Sequence, residues 1–343
     1  MKEAFLYKKL KNAVKCQTCA RNCIIAEGQL GLCRTRKNIK GKLYSLVYGE
    51  LCSIGVDPIE KKPLYMFAPG SHALSISTVG CTFRCDFCCN YQISQEWNKI
   101  SGEEYSPKQI VDLASKYKCQ GISYTYTEPT IQLEFAYDTA KIASKKGLYN
   151  MFVTNGYTTP EAIRQISKYL NAVTVDFKGS ANPAFYKKYS QVQKVEPIFD
   201  ALLAYKANKV YIEITDLIIP KIGENFEDFK KLCKWILENL GEETPLHILQ
   251  FFPTFKLSEL PRTPVETLEK AYNIAKEYLR YVYVGNASHK TENTYCSNCG
   301  SLLIERTILG VIKFLLKKDL KCFNCGNKIP INGVEWIPKN LWK

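Results

Sequence analysis

The chain has 343 residues, 46% hydrophobic and 23% charged, which is enough apolar material for one large domain with one or two small ones and excludes a low-complexity chain. No apolar run reaches the ~18 residues of a membrane span, and the opening MKEAFLYKKLKN lacks the apolar centre of a secretory signal, so a cytoplasmic protein without membrane partners is expected. The formal net charge of +14 favours acidic partners, nucleic acid among them, but Lys and Arg are spread along the chain, which argues for a merely soluble surface.

The fifteen cysteines are the anomaly of the composition. A reducing compartment disfavours disulfides, and most of these cysteines fall into three tight sets, which points to metal. Cys52, Cys89, Cys119 and Cys233 stand apart and are expected to be buried free thiols.

Residues 1–70 form the first of three segments. It carries Cys16, Cys19, Cys23 and Cys33 in an irregular spacing that suits either tetrahedral zinc or an auxiliary [4Fe–4S] cluster in an electron relay, zinc being the expectation. Residues 71–285 alternate short apolar runs with amphipathic stretches. Strands are predicted over Ala73–Val79, Gly121–Tyr126, Tyr149–Thr154, Ala172–Phe177, Val210–Ile219 and Leu246–Phe252. The intervening helices have defined starts. Ser106-Pro107-Lys108-Gln109 and Thr263-Pro264-Val265-Glu266 read as capping boxes with proline at the first position, and Thr159-Pro160 as a simpler cap. Gly121, Gly147 and Gly241 are placed where helix ends take a left-handed residue. The fold class is therefore α/β. Six units with right-handed crossovers give a parallel sheet, taken here as a partial (β/α)6 TIM-like barrel, whose active residues belong at the C-terminal ends of its strands. Residues 286–343 form the third segment. Cys296-Ser297-Asn298-Cys299-Gly300 and Cys322-Phe323-Asn324-Cys325-Gly326 are paired knuckles of zinc-ribbon type, with four thiolates for structural zinc. His289 lies beside them as a possible substitute ligand, while His72 and His247 read as edge or core residues.

The first predicted strand runs into Cys81-Thr82-Phe83-Arg84-Cys85-Asp86-Phe87-Cys88. Three thiolates can hold three irons of a [4Fe–4S] cube and leave the fourth open, whereas zinc calls for a fourth donor, for which Asp86 and the adjoining Cys89 are poorly suited. This Cys-x3-Cys-x2-Cys loop, with the aromatic Phe87 before its last cysteine, resembles the radical S-adenosylmethionine (SAM) superfamily. The resemblance implies SAM bound at the open iron, reductive cleavage to a 5′-deoxyadenosyl radical, and hydrogen abstraction from a substrate. Tyr126-Thr127-Glu128-Pro129 is similar to that superfamily's Gly-Gly-Glu-Pro, with Glu128 and nearby carbonyls placed to receive the SAM ammonium. Thr154-Asn155-Gly156 and Asp176-Phe177-Lys178 look like glycyl-radical-enzyme (pyruvate formate-lyase) activases, in which Asn155, Asp176 and Lys178 would hold the methionine end. Val153 departs from the Asp those activases carry.

Longer runs, including Asp57-Pro58-Ile59-Glu60-Lys61-Lys62-Pro63-Leu64-Tyr65 and Asn90-Tyr91-Gln92-Ile93-Ser94-Gln95, resemble the AmmeMemoRadiSam branch, an activase-like group encoded beside Memo-like and AMMECR-like proteins. The implied partners are a reductant such as ferredoxin or flavodoxin and a protein substrate or a Memo-like or AMMECR-like protein. RNA modification, or a non-catalytic zinc-ribbon protein bound to nucleic acid, are the alternatives to activase-like chemistry.

Overall fold

The chain is described by a computed structural model covering residues 1–287, 292–307 and 310–342, so His289 lies outside the described residues. Its centre is a sheet of eight strands: β1 (Ser53–Pro58), β2 (His72–Ser77), β3 (Gly121–Tyr124), β4 (Tyr149–Thr154), β5 (Ala172–Lys178), β6 (Tyr211–Ile218), β7 (Leu246–Gln250) and β8 (Val282–Gly285). They lie side by side in chain order. β2 through β8 are parallel, and β1 adds to β2 antiparallel. The two outer strands do not pair with each other, so the barrel is partial. The six predicted strands are present. The sheet is longer than expected by β1, drawn from the N-terminal segment, and by β8.

Helices α1 (Pro107–Lys116), α2 (Leu133–Lys145), α3 (Pro160–Ile166), α4 (Pro183–Tyr189), α5 (Glu196–Ala207), α6 (Phe226–Asn239) and α7 (Val265–Lys276) cross between the strands. Ser106 closes the expected capping box with Gln109, and Thr159 caps α3 by accepting from the Ala162 N–H. Thr263 does not cap α7. Its hydroxyl is buried, donating to the Ile218 carbonyl at 2.7 Å and accepting from the Phe251 N–H at 2.8 Å, and so ties the ends of β6 and β7 instead. Gly147 and Gly241 take the expected left-handed φ, but Gly121 does not. A β-carbon there would stand 2.1 Å from the Tyr149 ring, so close packing requires this glycine, and Lys118 is the left-handed residue after α1.

The sheet's two faces differ in chemistry, because alternate residues point opposite ways. Leu74, Ile76, Ile122, Tyr124, Phe152, Val173, Val175, Phe177, Ile214 and Ile248 pack into the main core with the helices. Their alternating neighbours Ser75, Ser77, Ser123, Thr174, Glu213, Thr215 and His247 are buried too, but polar, and Asp176 is half-buried. Such a polar inner wall needs partners. The segment after β1 supplies them at the lower end: Thr174 donates to the Lys62 carbonyl at 2.6 Å, and Glu213 accepts from the Tyr65 and Met66 N–H groups at 3.0 and 2.8 Å. Leu64, Phe67 and Ala68 from this plug pack on Tyr149, Met151 and Ala172. The upper end, where the strands finish, is left for loops.

Two small modules flank the sheet. The N-terminal one is built from two three-stranded antiparallel sheets, one joining Tyr7–Lys9, Ala13–Cys16 and Ile24–Ala26, the other Lys2–Glu3, Lys42–Ser45 and Arg36–Ile39. The C-terminal one has strands Thr294–Tyr295, Leu302–Thr307 and Gly310–Phe314 around its own apolar cluster of Leu303, Ile304, Phe314, Ile329 and Ile331.

Candidate metal centre

The three-cysteine loop leaves the C-terminal end of β2, and neighbouring segments fix its backbone. Gly80 N–H donates to the Ile93 carbonyl at 2.8 Å, Arg84 N–H to Ser190 at 3.1 Å and Asp86 N–H to Tyr189 at 2.9 Å. Gln95 Nε2 donates to the Cys85 carbonyl at 2.8 Å. Each sulfur has a polar neighbour: Phe83 N–H at 3.4 Å from Cys81 Sγ, Ser190 Oγ at 3.4 Å from Cys85 Sγ, and Ser94 Oγ at 3.2 Å from Cys88 Sγ. Burial pushes the Cys81 thiol well up, and the Cys85 thiol up to about 11 although the Lys178 ammonium pulls it down. Thiols so placed ionise readily only when a bound cation offsets the desolvation. Among the described residues, a set of ligand atoms all within 4.8 Å of one another occurs at the C-terminal knuckles and not in this loop. Three thiols, Cys85 buried and Cys81 and Cys88 half-buried, spaced too widely for one tetrahedral ion suit the corners of an iron–sulfur cube.

The other sequence-derived residues gather around this loop in unequal ways. Asn155 follows β4 and reaches it directly, donating from Nδ2 to Thr82 Oγ1 at 2.9 Å and lying 3.7 Å from Cys81 Sγ. Glu128 sits beneath, buried. Its carboxylate accepts from the Asn155 N–H at 2.9 Å, Thr154 Oγ1 at 2.8 Å, and the Thr130 N–H and hydroxyl at 3.0 and 2.5 Å. It is thus a clasp that joins the ends of β3 and β4 and starts the turn Pro129–Gln132. Tyr126 and Thr127 do adopt a special turn. Tyr126 has φ +63°, its carbonyl accepts from Asn90 Nδ2 at 2.7 Å, and Thr127 Oγ1 donates to the Thr78 carbonyl at 2.8 Å. Asp176 and Lys178 share the inner face of β5. Asp176 accepts from Thr215 Oγ1 at 2.7 Å, and burial raises its carboxyl against the pull of Lys178. Phe87 packs into the core beside Phe185, with ring centres 5.6 Å apart.

Sequence reasoning passed over several members of this neighbourhood. Thr82, Ser94 and Ser190 touch the loop or its sulfurs. Inside the barrel His247 Nε2 lies 2.6 Å from Glu213 Oε2, with its ring stacked on Tyr283. A glutamate in the middle of an otherwise apolar strand pattern is the signal that could have exposed that pair.

A model of the radical SAM superfamily matches residues 75–236, which contain the cysteine loop and every strand end just described. This chain belongs to that superfamily. An uncharacterised protein of Methanocaldococcus jannaschii is 45% identical to it over 96% of this chain and 99% of its own length. The pyruvate formate-lyase-activating enzyme of Clostridium pasteurianum is 24% identical over 50% of this chain and 72% of its own. In fold, the chain resembles a radical SAM methyltransferase of Sphaerobacter thermophilus, with a TM-score of 0.50 at 13% identity, covering 68% of this chain and 74% of that one. The protein is accordingly an activase-like radical SAM enzyme, and the superfamily implies a [4Fe–4S] cluster and SAM. No helix among the described residues is long and apolar enough to cross a membrane.

The two outer cysteine sets of this radical SAM enzyme differ from each other. At the C-terminal knuckles Cys296, Cys299, Cys322 and Cys325 have all four sulfurs within 4.8 Å of one another, in a set that could hold a metal ion. Gly300 and Gly326 take left-handed φ and turn each knuckle, donating to the carbonyls of Cys296 and Cys322 at 2.9 Å. Hydrogen bonds from Ser301 pull the Cys299 thiol down to about 6, while burial pushes Cys296 up to about 11. In the N-terminal module Cys16, Cys19, Cys23 and Cys33 line one cavity together with Arg21, Arg36 and Thr82, but their sulfurs are wider apart. Of the four separate cysteines, Cys119 and Cys233 are buried as expected. Cys52 is half-buried, and Cys89 is exposed.

Proposed function

We propose that Cys81, Cys85 and Cys88 hold a [4Fe–4S] cluster with one open iron, that SAM binds there, and that the enzyme abstracts a hydrogen atom from a protein substrate, as an activating enzyme does. When bound, that pair of cofactors supplies a 5′-deoxyadenosyl radical made by one-electron cleavage of the sulfonium. The supporting observation is the loop itself: three thiols, one buried and two half-buried, each beside a polar neighbour, at the C-terminal end of a barrel strand.

The chain's own residues have distinct tasks in this reading. Lys178, close enough to Cys85 to favour its thiolate, balances negative charge at the cluster. Asn155 donates toward Cys81 and sets the height of the loop over β4. Glu128 acts through the groups it clasps rather than by binding the SAM ammonium with its carboxylate, since both oxygens already accept protein hydrogen bonds. The ammonium is then left to main-chain carbonyls around Tyr126 and Thr127, and Asp176 stands with Lys178 on the inner face of β5. The C-terminal set holds structural zinc. The expected electron donor is a ferredoxin or flavodoxin, and the compartment is the cytoplasm.

The test is anaerobic metal analysis with a SAM-cleavage assay on the wild type and Cys85→Ala. Wild type should yield 5′-deoxyadenosine in the presence of a reductant, and the variant none above background. Equal cleavage by both sinks the ligand assignment. Tight RNA binding with a steep salt slope would move the substrate from protein to RNA.

A further inference from the structure

We propose that Cys16, Cys19, Cys23 and Cys33 hold a second iron–sulfur cluster, fully ligated by the protein, which passes electrons to the three-cysteine loop. Two cysteine quartets in one chain allow a direct comparison. The C-terminal four have the geometry of a single tetrahedral ion: Cys296 Sγ is 3.6 Å from Cys325 Sγ, and Cys299 Sγ is 3.6 Å from Cys322 Sγ. Thiolates at 2.3 Å from one zinc ion stand about 3.8 Å apart. The N-terminal four converge on one cavity, yet no three of their sulfurs meet even a 4.8 Å limit. Four thiolates set apart around a space fit a cube, where each binds a different iron, better than one ion that must draw all four together.

The cavity's remaining wall points to the same ligand. Arg21 Nη2 and Arg36 Nε are buried and have no hydrogen-bond partner, and both residues line this cavity. Orphan guanidinium N–H groups beside a metal site need acceptors. A lone zinc ion brings none beyond the thiolates, whereas a cluster brings inorganic sulfides that take N–H donors and whose potential responds to them. Other nitrogens of the two arginines are committed elsewhere, Arg21 Nε to the Thr82 carbonyl at 2.9 Å, and Arg36 Nη1 and Nη2 to Glu134 at 3.0 and 2.8 Å.

Position supplies the role. Thr82, which adjoins Cys81, is part of the cavity lining. A β-carbon on Gly80 would fall 2.9 Å from the Cys33 carbonyl, so the backbones carrying the two cysteine sets are in contact. Arg84, from inside the central loop, donates to the Leu32 carbonyl. An external low-potential donor loses one electron to the outer cluster. That electron then reduces the central cluster, and the outer one returns to its oxidised state, with no bond made or broken. The relay rests on the reading of the central loop given above, while the existence of the second cluster does not.

Anaerobically prepared wild type should contain about eight irons, about eight sulfides and about one zinc per chain, with two reduced-cluster EPR signals of which only one changes on adding SAM. A chain with Cys81, Cys85 and Cys88 all changed to Ala should keep about four irons and the SAM-insensitive signal. About two zinc ions with at most four irons in the wild type overturns the proposal. Iron only at the N-terminal site would sustain this proposal and refute the central one. For the relay, Cys19→Ser is compared with wild type using a reduced ferredoxin as donor. A fall of at least tenfold in 5′-deoxyadenosine formation is expected, and an unchanged rate rules the relay out.

Discussion

Tyr126 keeps a φ of +63° without being glycine, at a position where the superfamily's Gly-Gly-Glu-Pro pattern has one. Such a conformation costs a non-glycine residue about 1–3 kcal/mol and persists only where the surroundings impose it. Asp57 does the imposing, accepting from the Tyr126 hydroxyl at 2.6 Å while also binding Lys62 at 2.7 Å, Lys61 at 2.9 Å and Ser75 at 2.8 Å. Burial by itself would raise the Asp57 carboxyl, but the hydrogen bonds from Lys62, Tyr126 and Lys61 hold it well below the usual carboxylate range. A carboxyl with a depressed folded pKa stabilises the fold fully above its unfolded pKa of about 3.9, and this stabilisation fades as pH falls toward the folded value. Asp57→Asn should therefore cost about 3 kcal/mol at pH 7, because it leaves the buried Lys62 charge unpaired. The difference should shrink below about pH 4. Urea melts at several pH values would show this, and an equal gap at pH 7 and pH 3 would refute it. The run Asp57 to Tyr65 stood out in the sequence only as a resemblance. Its physical reason is long-range, since Tyr126 lies 69 positions away, and no spacing rule reaches that far.

The strands between β2 and β7 were legible because each is a short apolar run with turn signals around it. β1 was not: Ser-Ile-Gly-Val-Asp-Pro carries three strand-disfavoured residues and survives because an edge strand tolerates them. β8 is four residues long and follows α7 closely, too brief to stand out by periodicity. The cysteine loop was readable in full from its spacing. Most of its supports were not, because Ser190 and Gly80's neighbours come from elements far away in sequence, and Asn155 stood out only through a resemblance. Gly80 shows how tightly the elements interlock. Its φ is +99°, and an added β-carbon would meet Thr35 Cγ2 at 2.6 Å and the Cys33 carbonyl at 2.9 Å. Gly80→Ala should thus push the cysteine loop off the N-terminal module at a cost of about 1–3 kcal/mol. Thermal melts would report the lost stability, and iron analysis a loss of occupancy. A variant with wild-type melting and full iron would show that this contact does not position the loop. A similar lock exists at the opposite end, where Glu213 carries the Tyr65 and Met66 N–H groups together with His247. Glu213→Ala should cost about 3–5 kcal/mol in urea unfolding, against less than 1 kcal/mol if the site simply refills with water.

The two flanking modules occupy opposite ends of the sheet, and β4 shows the separation. Just beyond its C-terminal end, Thr159 Oγ1 donates to the Gln17 carbonyl at 2.7 Å and Cys19 pairs with Thr158, so the N-terminal module sits at the chemical end. Just before its start, Trp336 Nε1 donates to the Gly147 carbonyl at 2.8 Å, and its ring packs on Tyr149 and Phe67. A six-residue strand at about 3.3 Å per residue puts roughly 20 Å between these contacts. The C-terminal module is therefore a foot for the barrel and its plug, with Tyr65, Met66, Tyr281 and Tyr283 sharing its apolar cluster. With zinc on its four thiolates, as proposed, so small a module would depend on that metal to fold, because zinc binding contributes on the order of 10 kcal/mol to knuckle domains of this kind. Stripping zinc with a chelator that spares iron should expose that cluster and lower the melting temperature of the whole chain by several degrees. The same should follow from Cys299→Ser with Cys325→Ser. Hydrogen bonds lost at the foot do not reach the cysteine loop, so SAM cleavage per folded molecule, measured well below the melting range, should stay within about twofold of wild type. An immediate loss of cleavage on zinc removal, with folding intact by circular dichroism, would instead place the C-terminal metal in the electron path.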